Sequence, residues 1–216
     1  MKKLSLSAVA ATVAFAVAAP AQSAMVLGAK IGAEAWAADT KVDSVRQDDD
    51  SAKSMYVAFE HFVPLVPNFK LRYTQVGASH ISFDQVDYTA YYEILDNDAI
   101  AFDVGFTMTK FNNGTYTNTS SVQKNFSEWA PNIYSDVTIG VPLTPIGLFG
   151  QFNFGSHDGT STFGGEFGVK YTLNVVAADA NFKVGYRVMD HDFGYFTDNE
   201  GEAMIDGWFA GVELDF

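Results

Sequence analysis

The sequence predicts an all-β transmembrane barrel of about ten antiparallel strands, running up and down with short turns at one end and longer loops at the other. Three observations carry that expectation. Segments of roughly ten residues alternate apolar and polar side chains along most of the chain, and a strand sends alternate side chains to opposite faces. The chain is 48% hydrophobic and 15% aromatic, yet beyond Ala24 no apolar run approaches the roughly 18 residues of a spanning helix. The connections between segments also alternate in length, as they do in up-and-down membrane barrels. A bilayer offers no hydrogen bonds to an open sheet edge, so a spanning sheet must close on itself. Eight strands is the alternative count.

Residues 1–24 read as a secretory signal peptide. Lys2 and Lys3 precede an alanine-rich apolar stretch that is too short for a membrane anchor, and small residues at Ala19-Pro20-Ala21 and Gln22-Ser23-Ala24 offer cleavage sites. The barrel domain is then 25–216.

Its first segment, 25–37, sets Leu27, Ala29, Ile31, Ala33 and Ala35 against Gly28, Lys30, Gly32, Glu34 and Trp36. In the second, 54–63, Met55, Val57 and Phe59 oppose Tyr56 and Glu60. Segment 68–79 sets Phe69, Leu71 and Tyr73 against Lys70, Arg72 and Thr74, and 84–95 sets Val86, Tyr88, Ala90, Tyr92 and Ile94 against Asp87, Thr89 and Glu93. The fifth, 99–111, alternates most cleanly: Ile100, Phe102, Val104, Phe106 and Met108 against Asp103, Gly105, Thr107 and Thr109. Segments 130–141, 146–156, 162–173 and 179–189 repeat the pattern, with Asp136, Gln151, Glu166, Lys170, Lys183 and Arg187 on their polar faces. The tenth segment, 207–216, reads GWFAGVELDF. Proline agrees with these limits: Pro64, Pro67, Pro142 and Pro145 fall in short turns and Pro131 begins a strand, so none removes a ladder donor from a strand interior. Val63-Pro64-Leu65-Val66-Pro67 and Val141-Pro142-Leu143-Thr144-Pro145 occupy equivalent turns.

The apolar faces are expected to meet lipid and the polar faces to fill the lumen. Ten strands enclose a narrow interior. The inward charges would be Lys30, Glu34, Glu60, Lys70, Arg72, Glu93, Asp103, Glu166, Lys170, Lys183, Arg187 and Glu213. Buried charges persist only when paired or hydrated, so an ion-pair network with water is expected. Tyrosine, phenylalanine and tryptophan near the segment ends suggest two interfacial girdles. A soluble lipocalin-like barrel or sandwich would show the reverse, with its apolar face hidden.

There is no cysteine, so no disulfide contributes to stability. The formal charge is −13, and loss of Lys2 and Lys3 with the signal makes it −15 (−13 − 2). So acidic a chain excludes nucleic-acid binding through phosphate contacts.

The last segment carries a family resemblance. Trp208, Ala210, Val212, Leu214 and Phe216 form a wholly apolar face that ends on an aromatic carboxyl terminus. This resembles the closing strand of Gram-negative outer-membrane β-barrels. The resemblance implies an outer-membrane location, lipid and lipopolysaccharide as neighbours, and recognition of Trp208, Val212, Leu214 and Phe216 by the assembly machinery. Gly164-Gly165 resembles the pair that marks certain small outer-membrane proteins with a Gly-Gly motif. The implied role is that of a monomeric, non-enzymatic barrel serving envelope structure or surface interaction. A narrow, porin-like channel for small solutes is one alternative, and a lipid-modifying enzyme another.

Little chemistry is visible beyond this. His80 and Ser82, with Glu93 as a third member, resemble the pair of lipid A deacylases, but the surrounding sequence departs from that family. Asp190-His191-Asp192 resembles the acid and histidine at the rim of omptin proteases, without an evident opposing acidic pair. No cofactor is expected apart from divalent cations at acidic outer loops, where Asp39, Asp43, Asp48, Asp49 and Asp50 face Asp190, Asp192, Asp198, Glu200 and Glu202. The stretch 112–127, rich in Asn, Thr, Ser and Gly, reads as mobile surface chain.

Overall fold

A computed structural model describes residues 27–42, 45–78, 80–97, 99–117, 121–157, 160–192 and 202–216, with only the backbone described for 47–50. The signal-peptide expectation for 1–24 and the acids Asp43, Asp198 and Glu200 lie outside the described residues.

The alternating segments become β1 (Leu27–Val42), β2 (Val45–His61), β3 (Asn68–Gly77), β4 (Ile81–Asp96), β5 (Ile100–Thr117), β6 (Gln123–Phe126), β7 (Trp129–Gly140), β8 (Ile146–His157), β9 (Thr160–Val175), β10 (Ala178–Asp192) and β11 (Glu202–Asp215). Among the described residues, ten of these close into an antiparallel ring in chain order; β6 pairs only with the far end of β5. Closure joins the first strand to the last. Lys30 lies opposite Asp215 and Val42 opposite Ala203, and the Phe216 amide donates to the Ala29 carbonyl at 2.9 Å. The expected pairing of 25–37 with the terminal segment is therefore present, as are ten strands rather than eight.

The faces point as the alternation requires. Leu27, Ile31, Met55, Val57, Phe59, Phe106, Phe182, Val184, Trp208 and Val212 are exposed on the outside, whereas Arg72, Thr107, Glu166 and Asn181 are buried within. Trp208 is 66% exposed and Val184 56%. A soluble protein does not present a continuous apolar girdle of this extent to water, and this one surrounds the ring: the barrel is transmembrane. The turns at one end are short, as expected. In two of them a proline precedes a leucine with positive φ, Leu65 at 69° and Leu143 at 64°. Proline followed by a left-handed residue is the geometry of a type II turn, whose third position usually falls to glycine. The two similar pentapeptides thus share a backbone shape as well as a sequence.

The other end differs in construction. The ten ring strands have 10 to 18 residues, and about 9–11 suffice to cross a bilayer at a tilt. The surplus lies on the loop side. Stretch 38–53 is mostly strand, with β1 and β2 separated only by 43–44, and β3 and β4 approach within a few residues of each other. Within the stretch 112–127, expected as mobile surface chain, 112–117 instead continue β5 and 123–126 pair with its end as β6, burying Tyr116 and Phe126. The barrel wall therefore stands well clear of the apolar belt on this side.

Candidate functional site: a layered, sealed interior

The short-turn mouth is acidic. Glu93, Asp103 and Asp136 fall on one lateral row across β4, β5 and β7. Glu93, expected inside, is instead exposed at the rim, because β4 emerges from the barrel there. Just above, the Lys30 ammonium donates to Glu60 at 2.6 Å, and the Tyr91 hydroxyl donates to the same carboxylate at 2.7 Å. Lys30 thus pairs chiefly with Glu60, whereas Asp215 is its cross-strand neighbour and Glu213 belongs to a different group.

That second group centres on Tyr56, whose ring lies over Gly32 on the neighbouring strand; a Cβ at Gly32 would come within 2.2 Å of it. The Tyr56 hydroxyl donates to Glu213 at 2.5 Å, and Lys183 donates to both at 2.7 and 3.0 Å. Asn181 donates to the other Glu213 oxygen at 3.0 Å. Lys70 donates to Gln151 at 2.5 Å and lies 4.7 Å from the centre of the Tyr56 ring, a cation–π contact. Lys170 lines the same polar cavity of about 70 Å³, room for a few waters.

The third layer spans the barrel. Arg72 grips Glu166 with two parallel bonds of 2.6 and 3.1 Å and approaches Glu34 at 3.6 Å. Arg187 lies 3.5 Å from Glu34 and 3.8 Å from Glu166. Ser54 completes the layer with a 2.7 Å bond to Glu34, and Trp36 lies beneath the Arg187 guanidinium. Two cations and two carboxylates in alternation give a neutral square, the arrangement by which buried charges satisfy one another. Beside it Asp87 accepts from Gln85 at 2.9 Å and from Thr109 at 2.7 Å. Lys30, Glu34, Glu60, Lys70, Arg72, Asp103, Glu166, Lys170, Lys183, Arg187 and Glu213 are all buried or half-buried along the inner face.

Above the square the interior changes character. Val42, Val76, Ile81, Phe83, Phe111, Phe126, Met189 and Ile205 form an apolar plug inside the part of the wall that projects beyond the belt. Phe83 and Phe111 meet edge to face at 5.6 Å, and Phe111 meets the His191 ring at 5.2 Å. Alternation alone does not reveal this plug, although Val76, Phe83, Phe111, Met189 and Ile205 are in phase with the inner face of their strands.

The other candidates disperse. His191 is buried in the plug while Asp190 and Asp192 alternate away to the exposed face, so the three do not form a rim constellation. His80 lies in the β3–β4 turn and Ser82 is on β4. At the acidic loop side, Arg46 pairs with Asp39 at 2.7 Å and reaches Asp206 at 3.5 Å. Among the described residues no three potential metal ligands converge.

Burial, with Arg187 nearby, holds the His191 imidazole neutral by lowering its pKa from 6.5 to about 3. The unfolded chain takes up that proton at its ordinary pKa, so this residue's contribution to stability is intact above about pH 6.5 and is lost progressively as pH falls towards 3. Unfolding midpoints measured across this range should fall more steeply for the native chain than for His191→Leu. Parallel curves would contradict the assignment.

No protein-family model matches the chain, and no curated protein matches it. Among solved structures it is similar to Neisserial surface protein A, with 13% identity over 87% of this chain and 97% of that one, at a TM-score of 0.42. It is similar to the β domain of the Bordetella autotransporter BrkA (8% identity, 87% and 98% covered, TM-score 0.47). A third is the outer membrane protease OmpT from Escherichia coli (10% identity, 88% and 97% covered, TM-score 0.47). The chain's own hydrogen-bonded ring and exposed apolar belt make it a transmembrane barrel.

Proposed function

We propose that this chain is an integral protein of a Gram-negative outer membrane, acting as a monomer in envelope structure or surface interaction without catalysing a reaction or conducting solutes. The observation that carries the reading is a lumen closed twice, by the Arg72–Glu166–Arg187–Glu34 square and by the aromatic plug above it. Conduction would require ions to displace paired charges and then pass an apolar constriction, each step opposed by desolvation. The apolar outer face of the closing strand, with Trp208 and Val212 exposed on it, supports the membrane location. Gly164-Gly165 sits together on β9, and the likeness to Gly-Gly proteins rests on that pair alone.

Two measurements test this. Folded protein should migrate differently from boiled protein on a detergent gel. Planar bilayers containing it should show no discrete conductance steps, and regular steps in several preparations would replace the sealed-barrel reading with a channel.

A further inference from the structure

The outside of the barrel carries a polar groove just beyond the loop-side edge of the apolar belt. Cross-strand pairing places Lys53, Gln75, Asp84 and Asn112 in one lateral row across β2, β3, β4 and β5. The next row towards the turns is Met55, Tyr73, Val86, Lys110 and Trp129, the edge of the apolar belt. A groove of about 450 Å³ opens above that edge, lined by Ser51, Lys53, Gln75, Gly77, Asp84 and Asn113. Among the described residues other than its chain neighbours, no atom lies within 4 Å of where a Gly77 Cβ would be, so the groove is open there.

Its acceptor is held in place. Tyr73 donates to Asp84 Oδ1 at 2.7 Å, Gln75 to the same oxygen at 3.4 Å, and Asn113 to Oδ2 at 2.8 Å. Asn113 reaches it from a left-handed backbone conformation, φ 51°. The bonds from Asn113 and Tyr73 lower the Asp84 carboxyl pKa and keep it ionised. A carboxylate offers about four acceptor positions, so Oδ2 retains one for a ligand hydroxyl. Lys53 is exposed, and among the described residues no carboxylate pairs with it. Alongside, Lys110 lies 5.3 Å from the Trp129 ring centre, which packs against Tyr88 at 5.9 Å. The adjoining stretch of the wall, at β1 and β11, carries Asp39 and Asp206 instead, tied to Arg46 on β2.

We propose that this groove binds the headgroup of a phosphorylated glycolipid, with a phosphate on Lys53, sugar hydroxyls on Asp84, Gln75 and Asn113, and the acyl chains descending over Met55, Tyr73 and Val86. Continuity with the belt selects a membrane lipid over a free sugar phosphate. A charged donor, a charged acceptor and neutral amides together suit a phosphorylated sugar better than a simple anionic headgroup. The inference rests on the membrane reading above.

The test uses the full-length folded protein in phosphatidylcholine vesicles doped with a bis-phosphorylated glucosamine lipid, with phosphatidylglycerol as the comparison and retained lipid measured after exchange into undoped vesicles. The glycolipid should be retained in preference to phosphatidylglycerol. Lys53→Gln combined with Asp84→Asn should weaken retention about tenfold or more, the scale of a lost charge-assisted contact, while Asp190→Asn on another strand leaves it unchanged. Equal retention by native protein and the double variant overturns the assignment. Equal retention of phosphatidylglycerol reduces it to charge attraction and overturns sugar recognition, and displacement by soluble glucose 1-phosphate overturns the lipid source. Failure of the native protein to enter vesicles at all would instead strike the membrane reading itself.

Discussion

Replacing Arg72 with alanine should destabilise the barrel by about 3–5 kcal/mol, the range for stranding a buried charge by deleting its partner. Arg72 is 3% exposed, makes both guanidinium bonds to Glu166, and faces Glu34 across the lumen. Its loss leaves two buried carboxylates sharing Arg187 alone. Urea titration of protein folded in detergent or bilayer should show the shift as a lower midpoint. The informative comparison is Arg72→Met with Glu166→Leu. Removing one cation and one anion leaves Arg187 and Glu34 as a neutral pair, so the double variant should recover much of what Arg72→Met alone loses. Because the residues touch, their effects are not additive, and the coupling measures the pair. If the double variant were as unstable as the sum of the singles, the square would be a coincidence of placement rather than an interacting unit.

The lower two-thirds of this architecture were legible in the sequence because two solvents select opposite residue types there. Lipid outside demands Val57, Phe106 and Val184, and a narrow charged lumen demands Arg72, Asp103 and Lys183, so period two is printed plainly. Beyond the belt both conditions reverse. Outward positions become polar, as at Asp39, Lys53, Gln75, Asp84 and Asn112, while inward positions become apolar, as at Val42, Val76, Phe83, Phe111 and Ile205. The alternation continues in phase, but its meaning inverts, so reading for an apolar outer face stops at the edge of the belt and leaves true strand as loop. Phe149 and Phe209 add a smaller ambiguity: they point inward and meet at 6.1 Å, although an aromatic beside apolar neighbours suggests the lipid face. The partners of individual charges were not legible either. Glu213 joins Lys183 and Tyr56 because ring curvature and side-chain length decide which groups meet across the lumen, and neither is set by spacing along the chain.

That inverted upper section behaves physically like a small soluble barrel resting on a membrane one, which gives Phe111→Ala a distinctive expected outcome. Phe111 is fully buried, packed against Phe83 at 5.6 Å, Phe126 at 6.4 Å and His191 at 5.2 Å. Truncating such a phenylalanine removes about 3–5 kcal/mol through lost burial and the cavity left behind. The belt and the ion square lie below the plug and keep their own contacts, so the loss should concentrate in the projecting wall. Hydrogen exchange should therefore quicken at amides of β5 above Thr109, of β6, and of β10 beyond Val188, with little change in the spanning segments. Added protease should cut the β5–β6 region sooner, while the gel shift between folded and boiled protein persists. Conductance should remain absent, because the Arg72–Glu166 layer still closes the lumen. Uniform acceleration of exchange along every strand would show instead that plug and membrane barrel unfold as one cooperative unit. Discrete conductance in Phe111→Ala alone would show that the aromatic plug, and not the ion layer, is the seal.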